Sequence, residues 1–286
     1  MWYLAGPILC RSDIQKCEDD PVHDHRNLII DHFTKHAIPF DKRSSQHVKQ
    51  TFDEIQTLVQ VTKDDTVLDV ASGTGSLAVE FAKICDKVVG IDLTPAMIKK
   101  AKKLQEMNAL DNLRWDTGDV TQTLPYTSNS FSIVITTFSF HHMLDPLSVL
   151  MEMNRVCSIE GKIIVADITP NPDKASTYNQ LQHLKDPSHV KFLTISEFDD
   201  LFQKAGIPIF KRGSYRIKTG LEDQLQISDP TSIDNRVDWK VLKLQRYDTF
   251  LNQLSYKLIE LLTFLTVKHH VDSEHRVFST CHLCIA

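Results

Sequence analysis

Two acidic residues and a glycine-containing turn have the spacing of a nucleotide-binding site. Asp69 lies in the apolar run 66–70, which predicts a strand buried on both faces, and a turn and a helical pattern follow it. Gly73 and Gly75 in that turn leave room for a ligand close to the backbone. Asp92 ends the next apolar run, where a carboxylate can accept hydrogen bonds from both hydroxyls of a ribose. This order of strand, turn and helix predicts the opening of a doubly wound α/β sheet.

The residues of the turn indicate which nucleotide it suits. A dinucleotide site reads G-x-G-x-x-G, whereas residues 69–75 read Asp-Val-Ala-Ser-Gly-Thr-Gly. An acid before the turn disfavours a phosphate and favours a cationic amine, which argues against an NAD-linked oxidoreductase. The stretch resembles motif I of the class I S-adenosylmethionine-dependent methyltransferases, although Ala71 stands where many members have the first glycine. The resemblance implies that Asp69 pairs with the methionine amino group, directly or through water, and that Asp92 holds the ribose.

A third acidic residue also matches the family, at the position that would bind the adenine of the cofactor. Asp119 follows a short strand predicted at 112–115, and its carboxylate can accept a hydrogen bond from the exocyclic amine of the base. The family resemblance implies this role for Asp119 and a backbone N–H donated by Val120. The implied cofactor-binding set is Asp69, Ala71, Ser72, Gly73, Thr74, Gly75, Asp92, Leu93, Met97, Asp119, Val120 and Thr137.

Two adjacent histidines follow the predicted fourth strand, at 133–138. His141 and His142 therefore lie at the carboxyl edge of the sheet, where ligands bind in such folds. An imidazole there can take a proton from a carbon, oxygen or nitrogen nucleophile, so both residues are catalytic candidates. The alternative is that they cap the next helix or hold the turn together. The Asn/Asp-Pro-Pro-Tyr/Phe sequence of enzymes that methylate DNA or RNA bases is absent here.

The remaining patterns predict the architecture. They indicate a doubly wound, Rossmann-like α/β sheet of seven strands, mostly parallel, with helices on both faces and a turn at Glu160-Gly161. In the resembled family the last strand, here 276–285, inserts antiparallel between strands five and six. Residues 1–45 form an N-terminal segment or lid, and 46–286 form the methyltransferase domain, with helical insertions at about 168–194 and 218–274. Two helices are expected before the first strand, at 25–36 and 47–61.

The insertion after strand five resembles that of the methyltransferase type 11 group, which is related to the ubiquinone and menaquinone C-methyltransferases. Such insertions usually line the acceptor pocket. Four aromatic residues are therefore candidates for substrate contact, with ordinary packing as the alternative: Tyr178, His183, His189 and Phe192.

No metal site is predicted. His32 and His36 lie one helical turn apart, but they lack the glutamate of H-E-x-x-H and an evident third ligand, so a helix face or pocket lid is favoured. Cys281 and Cys284 are three residues apart on a strand, which places their thiols on opposite faces.

Composition excludes other classes of function. The net charge of −5 provides no electrostatic footprint for nucleic acid, and no run is long enough to span a membrane. The six cysteines are irregularly spaced, which favours reduced thiols in a cytoplasmic protein.

The sequence therefore predicts an enzyme that transfers a methyl group from S-adenosylmethionine to a small-molecule acceptor and leaves S-adenosylhomocysteine. The alternative is a catalytically silent binding or regulatory domain on the same fold. The amphipathic C-terminal helical region predicts packing on the sheet, a cover over the pocket, or a homodimer interface.

Overall fold

A computed structural model describes residues 21–220 and 276–286. Its helices are α1 (Pro21–Leu58), α2 (Ser76–Ala82), α3 (Pro95–Met107), α4 (Pro146–Val156), α5 (Ala175–Lys185) and α6 (Ile195–Lys204). Its strands are β1 (Thr66–Val70), β2 (Lys87–Asp92), β3 (Leu113–Thr117), β4 (Phe131–Thr137), β5 (Cys157–Ile168), β6 (Lys211–Gly220) and β7 (Arg276–Ile285). Short 3₁₀ turns occupy Phe140–His142 and Pro172–Lys174.

The strands form one sheet in the order β3-β2-β1-β4-β5-β7-β6. The first five run parallel, and β7 pairs antiparallel with both β5 and β6. This arrangement confirms the predicted seven-stranded, doubly wound sheet with an antiparallel last strand. The order reverses at β1 and β4, so the carboxyl ends of these strands border the crevice in which such sheets bind ligands.

Successive side chains along a strand point to opposite faces of the sheet, so the hydrophobic core of the described residues consists of two clusters, one on each face. Val67 and Ile133 pack with α1, α2 and α3, whereas the adjacent Leu68 and Val134 pack with α4 and α6. The pair Cys281 and Cys284 follows the same geometry, since each thiol is buried in a different one of these two clusters. Their predicted placement on opposite faces is confirmed.

Two local predictions were wrong. A single helix, α1, covers the first segment and the second as far as Leu58, although these were expected to be separate helices. The domain boundary proposed at residue 45 lies within this helix and stays a prediction. No turn separates α4 from β5 at Glu160-Gly161, because β5 begins directly at Cys157. Phe131 pairs with Cys157 and Ile133 with Lys162, so the register between β4 and β5 shifts between these two pairs.

The C-terminal insertion predicted at 218–274 can be compared only at its start. Its first three residues belong to β6, and residues 221–275, with the proposed dimer interface, lie outside the described residues. Over the part of the chain that the structure describes, no helix combines the length and apolarity that a membrane span requires.

Helix α6 begins with a complete capping box, in which the side chain of Thr194 accepts from the Glu197 N–H and the Glu197 carboxylate accepts from the Thr194 N–H. Thr194→Ala leaves the Glu197 N–H without its side-chain acceptor. The variant is expected to lower the free energy of unfolding by about 1 kcal/mol. Denaturant unfolding measures this difference. Lys204→Ala, at the exposed end of the same helix, is the control, and an equal loss in both variants would contradict the capping explanation.

Candidate functional site

A cavity of about 440 Å³ lies at the carboxyl ends of β1, β2, β3 and β4, beneath the helix α1. Ten of the twelve predicted cofactor residues line it: Ala71, Ser72, Gly73, Thr74, Asp92, Leu93, Met97, Asp119, Val120 and Thr137. Asp69 and Gly75 are not among its lining residues. The topology therefore brings together residues from the ends of four strands, β1 to β4, that are separated along the sequence.

The turn after β1 has three residues in the left-handed region, with φ values of 58° at Ala71, 55° at Gly73 and 77° at Gly75. A Cβ at Gly73 would meet no atom within 4 Å, so this glycine faces open space. A Cβ at Gly75 would lie 2.2 Å from the ring of Trp115. The absence of a side chain at Gly75 therefore makes room for a residue of β3, and a contact between Gly75 and the cofactor stays a prediction.

Trp115 is a residue of this region that sequence reasoning missed. Its ring also lies 2.4 Å from the position of a Cβ at Gly90, in the middle of β2. Its Nε1–H donates a 2.7 Å hydrogen bond to Oε1 of Gln105 on α3. A glycine inside an apolar strand marks a close approach, and Gly90 was the signal that could have revealed this packing.

Asp92 joins the end of β2 to the turn. Its Oδ2 accepts a 2.8 Å hydrogen bond from the Gly73 N–H, and its Oδ1 accepts one of 2.8 Å from the Thr94 N–H. Burial raises the pKa of Asp92 above its usual range, against the effect of these two donors. Each carboxylate oxygen keeps further acceptor capacity toward the cavity, which fits the two hydroxyls of a ribose.

Two polar atoms of the turn region are buried without a hydrogen-bond partner among the residues described: Oδ2 of Asp69 and Oγ of Ser72. Asp69 is 1% exposed, and burial together with the charge of Asp92 raises its pKa to about 8. Buried polar atoms in folded proteins normally have partners. These two atoms fit a ligand that brings hydrogen-bond donors, such as an amino group, to this turn.

Asp119 lies on the cavity wall beside the buried Val120. Its Oδ1 accepts from the backbone N–H and the hydroxyl of Thr121, at 3.0 and 2.6 Å. Its Oδ2 is 3.9 Å from Nε of Arg26, on the helix α1. The carboxylate is thus fixed beside the cavity under the N-terminal part of α1.

The helix α1 covers the cavity with residues that include Ile29 and Phe33. Nε2 of His25 lies 2.7 Å from the carbonyl oxygen of His142, and Nε2 of the buried His32 lies 3.4 Å from Oδ2 of Asp186. The side chain of His36 lies outside the described residues. Within the described part of the chain, no cluster of three or more His, Cys, Asp or Glu residues could hold a metal.

The two catalytic candidates have different surroundings, although both line the cavity. Nδ1 of His141 lies 2.9 Å from Oδ1 of Asp167 and 3.0 Å from its Oδ2. Nδ1 of the buried His142 lies 3.1 Å from the carbonyl oxygen of Ser188. Burial, followed by the charge of His141, lowers the pKa of His142 to about 3. His142 is therefore neutral near pH 7 and connects its turn to the segment after α5.

The four predicted acceptor contacts divide into two pairs. Tyr178 and Phe192 line the cavity, with ring centroids 5.6 Å apart. His183 is exposed, and His189 is buried with its Nε2 2.8 Å from Oδ1 of Asn179, and neither lines the cavity. The sequence analysis did not select Asp167, whose carboxylate contacts His141, or Asp186, which lines the cavity.

Known proteins resemble the chain in sequence and in fold. Residues 61–206 match the family model described as a methyltransferase domain. The uncharacterised methyltransferase YcgJ of Bacillus subtilis is 29% identical over 138 residues, which cover 48% of this chain and 54% of YcgJ. The ubiquinone/menaquinone biosynthesis C-methyltransferase UbiE of Bdellovibrio bacteriovorus is 38% identical over 105 residues, or 36% of this chain and 44% of UbiE. The chain thus matches about half of the length of these curated relatives.

Solved structures show the same fold over more of the chain. A protein from Bacillus halodurans named as a methyltransferase superposes with a TM-score of 0.65 at 24% identity, covering 82% of this chain and 97% of that one. The structure of YcgJ from Bacillus subtilis gives a TM-score of 0.64 at 18% identity, covering 83% and 96%.

Proposed function

The chain belongs to the class I S-adenosylmethionine-dependent methyltransferases, and from this premise we propose that its cavity binds S-adenosylmethionine together with a small-molecule methyl acceptor. One observation carries the proposal: ten residues chosen for cofactor contact line the same cavity, which continues past them to an aromatic end. When bound, the cofactor supplies an activated methyl group on a sulfonium.

The residues fit the cofactor as follows. Asp92 would accept hydrogen bonds from the ribose, while Asp119 and the Val120 N–H would hold the adenine. The turn residues and the unpartnered Oδ2 of Asp69 would receive the methionine amino group, directly or through water. The protein's main task is then to hold the acceptor in line with the methyl group in a site from which water is excluded.

The alternative is a silent domain that binds the cofactor without transferring its methyl group. The cavity supports the enzyme instead, because its wall beyond Thr137 includes His141, Tyr178 and Phe192. None of these three side chains belongs to the set assigned to the cofactor, so this part of the wall is left for an acceptor.

Calorimetric titration with S-adenosylhomocysteine, with NADH as the control, tests the cofactor assignment. Micromolar binding of the first and none of the second is expected. Binding of NADH alone would overturn the interpretation of Asp69 and of the turn. Binding of neither compound would also contradict the proposal.

Binding is expected to release a proton at pH 7. In the free protein the raised pKa of Asp69, about 8, keeps the carboxyl protonated at this pH. A ligand ammonium group nearby stabilises the carboxylate and lowers this pKa, so the proton leaves between the lowered value and about pH 8. Titrations in phosphate and in Tris, whose ionisation enthalpies differ, should give different heats for the wild type and equal heats for Asp69→Asn. Equal heats for the wild type in the two buffers would mean that the ligand ammonium group does not lie near Asp69.

A further inference from the structure

We propose that Nε2 of His141 is the general base of methyl transfer and that Asp167 is its positioning residue, so that the acceptor is a flat aromatic molecule with an ionisable hydroxyl. This inference rests on the proposed function, since it assigns the base and the acceptor class of the same cavity. His141 lines the cavity after the carboxyl end of β4. Asp167, on the neighbouring strand β5, contacts the His141 ring with its carboxylate.

Asp167 determines which nitrogen of His141 can act as a base. Asp167 is 2% exposed and its carboxylate lies within 3.0 Å of Nδ1, so Nδ1 carries the proton and donates it. Neutral imidazole has one N–H, and Nε2 therefore presents a lone pair. Both hydrogen bonds of the His141 ring to the described residues use Nδ1, which leaves Nε2 available to a molecule in the cavity.

The backbone of His141 is fixed from three sides. Oδ2 of Asp167 accepts from the His141 N–H at 3.2 Å, and the His141 carbonyl accepts from the N–H groups of Val190 and Lys191 at 2.7 and 3.1 Å. Asp167 is fixed in turn, because its Oδ1 accepts from the Ile168 N–H at 2.7 Å. The imidazole is thus held in place before any acceptor binds.

The neighbouring histidines do not have this arrangement. His142 is buried with Nδ1 toward the Ser188 carbonyl, and its Nε2 lies 3.8 Å from Oδ2 of Asp186. His189 is buried, and its Nε2 is engaged by Asn179. His141 therefore differs from both, because its carboxylate partner engages Nδ1 and leaves Nε2 for a molecule in the cavity, whereas Nε2 faces Asp186 in His142 and Asn179 in His189.

The acceptor class follows from the wall around His141. The ring of Phe192 lies 4.5 Å from the His141 ring between centroids, and Tyr178 lies next to Phe192. Phe33 of α1 also lines the cavity, and its ring centroid lies 5.1 Å from that of His142. Aromatic surfaces in these positions favour a planar apolar ring.

In the proposed reaction, the acceptor, the methyl donor and His141 account for the proton and for both electron pairs that move. The acceptor O–H gives its proton to Nε2 of His141, and an oxygen electron pair forms the new bond to the methyl carbon. The pair of the broken S–CH₃ bond returns to sulfur, which leaves the neutral thioether S-adenosylhomocysteine. The imidazolium that forms is stabilised by the carboxylate of Asp167, and general-base catalysis of this kind typically contributes about 10²–10⁴-fold in rate.

The tautomer of His141 provides the first test. Two-bond ¹⁵N–¹H correlation spectra of the full chain, labelled at histidine and saturated with S-adenosylhomocysteine, distinguish the two tautomers, and His141→Gln assigns the resonance. The Nδ1–H form is expected for the wild type, and Asp167→Asn should reduce its population. An Nε2–H tautomer in the wild type would overturn the proposal, because that nitrogen could not accept a proton.

Ionisation of 4-nitrophenol provides the second test. At a pH where most of the free phenol is protonated, the wild type with S-adenosylhomocysteine should raise the phenolate absorbance, and His141→Gln should abolish the increase. His183→Gln, at an exposed position outside the cavity, is the matched control. An equal increase in His141→Gln, or no binding of the phenol by the wild type, would overturn the proposal. Retained S-adenosylhomocysteine binding would show that the cofactor assignment survives such a result.

Discussion

Asp92→Ala is expected to weaken S-adenosylhomocysteine binding by about 2–3 kcal/mol, or roughly 30- to 150-fold in Kd. The substitution leaves the ribose hydroxyls without their acceptor in a site covered by α1. It also removes the acceptor of the Gly73 and Thr94 N–H groups, which hold the turn against the end of β2. Both effects weaken the binding of S-adenosylhomocysteine, and calorimetric titration measures their combined change in binding free energy.

Two further variants separate these causes. Asp92→Asn keeps an amide oxygen for one backbone donor and should lose less affinity than Asp92→Ala. Asp111→Ala, at an exposed position between α3 and β3, is the control and should bind as the wild type does. If Asp92→Ala kept its full affinity, the assignment of the ribose to this carboxylate would be wrong.

Gly75→Ala is expected to lower the free energy of unfolding by about 3 kcal/mol, through two costs that add. A non-glycine residue at φ 77° costs about 1–2 kcal/mol, and forcing a methyl group into a packed core costs about 1–3 kcal/mol. The methyl group would lie 2.2 Å from the Trp115 ring and 2.8 Å from Cβ of Ala101, so the core must move. Denaturant unfolding followed by Trp fluorescence measures the loss.

Gly73→Ala is the matched variant, because its φ of 55° is similar but its Cβ would meet no protein atom within 4 Å. It should lose only about 1–2 kcal/mol of stability, since it lacks the packing cost. Its methyl group would point into open space at the cavity, so it should impair S-adenosylhomocysteine binding instead. Equal losses of stability in the two variants would contradict the role assigned to Trp115.

The contrast between these glycines shows which part of the site was predictable. Ten of the predicted cofactor residues line one cavity because they lie at or just after the carboxyl ends of strands, with Met97 in the first turn of α3, and parallel strands bring those ends to one edge. Gly75 belongs to the same turn, yet its surroundings depend on Trp115, forty positions further along the chain. Spacing within a turn does not reveal a neighbour from another strand.

His141 and His142 likewise could not be distinguished from the sequence. Adjacent positions at the end of β4 made His141 and His142 equal candidates in the sequence. Tertiary contacts distinguish them, because the partner of His141 is 26 residues away on β5 and that of His142 is 46 residues away after α5. The helix α1 likewise became a cover over the cavity through contacts with Asp119, His142 and Asp186.

By itself, the sequence predicted the mostly parallel sheet from apolar periodicity and turn residues, which are local along the chain. The family came from the resemblance of residues 69–75 to motif I, which is equally local. Only the tertiary structure decided that Asp167 orients His141, that His142 is buried as a neutral residue, and that Gly75 accommodates a tryptophan. The physical reason is that proton positions and packing depend on side chains brought together from distant segments, and no local pattern records their distances.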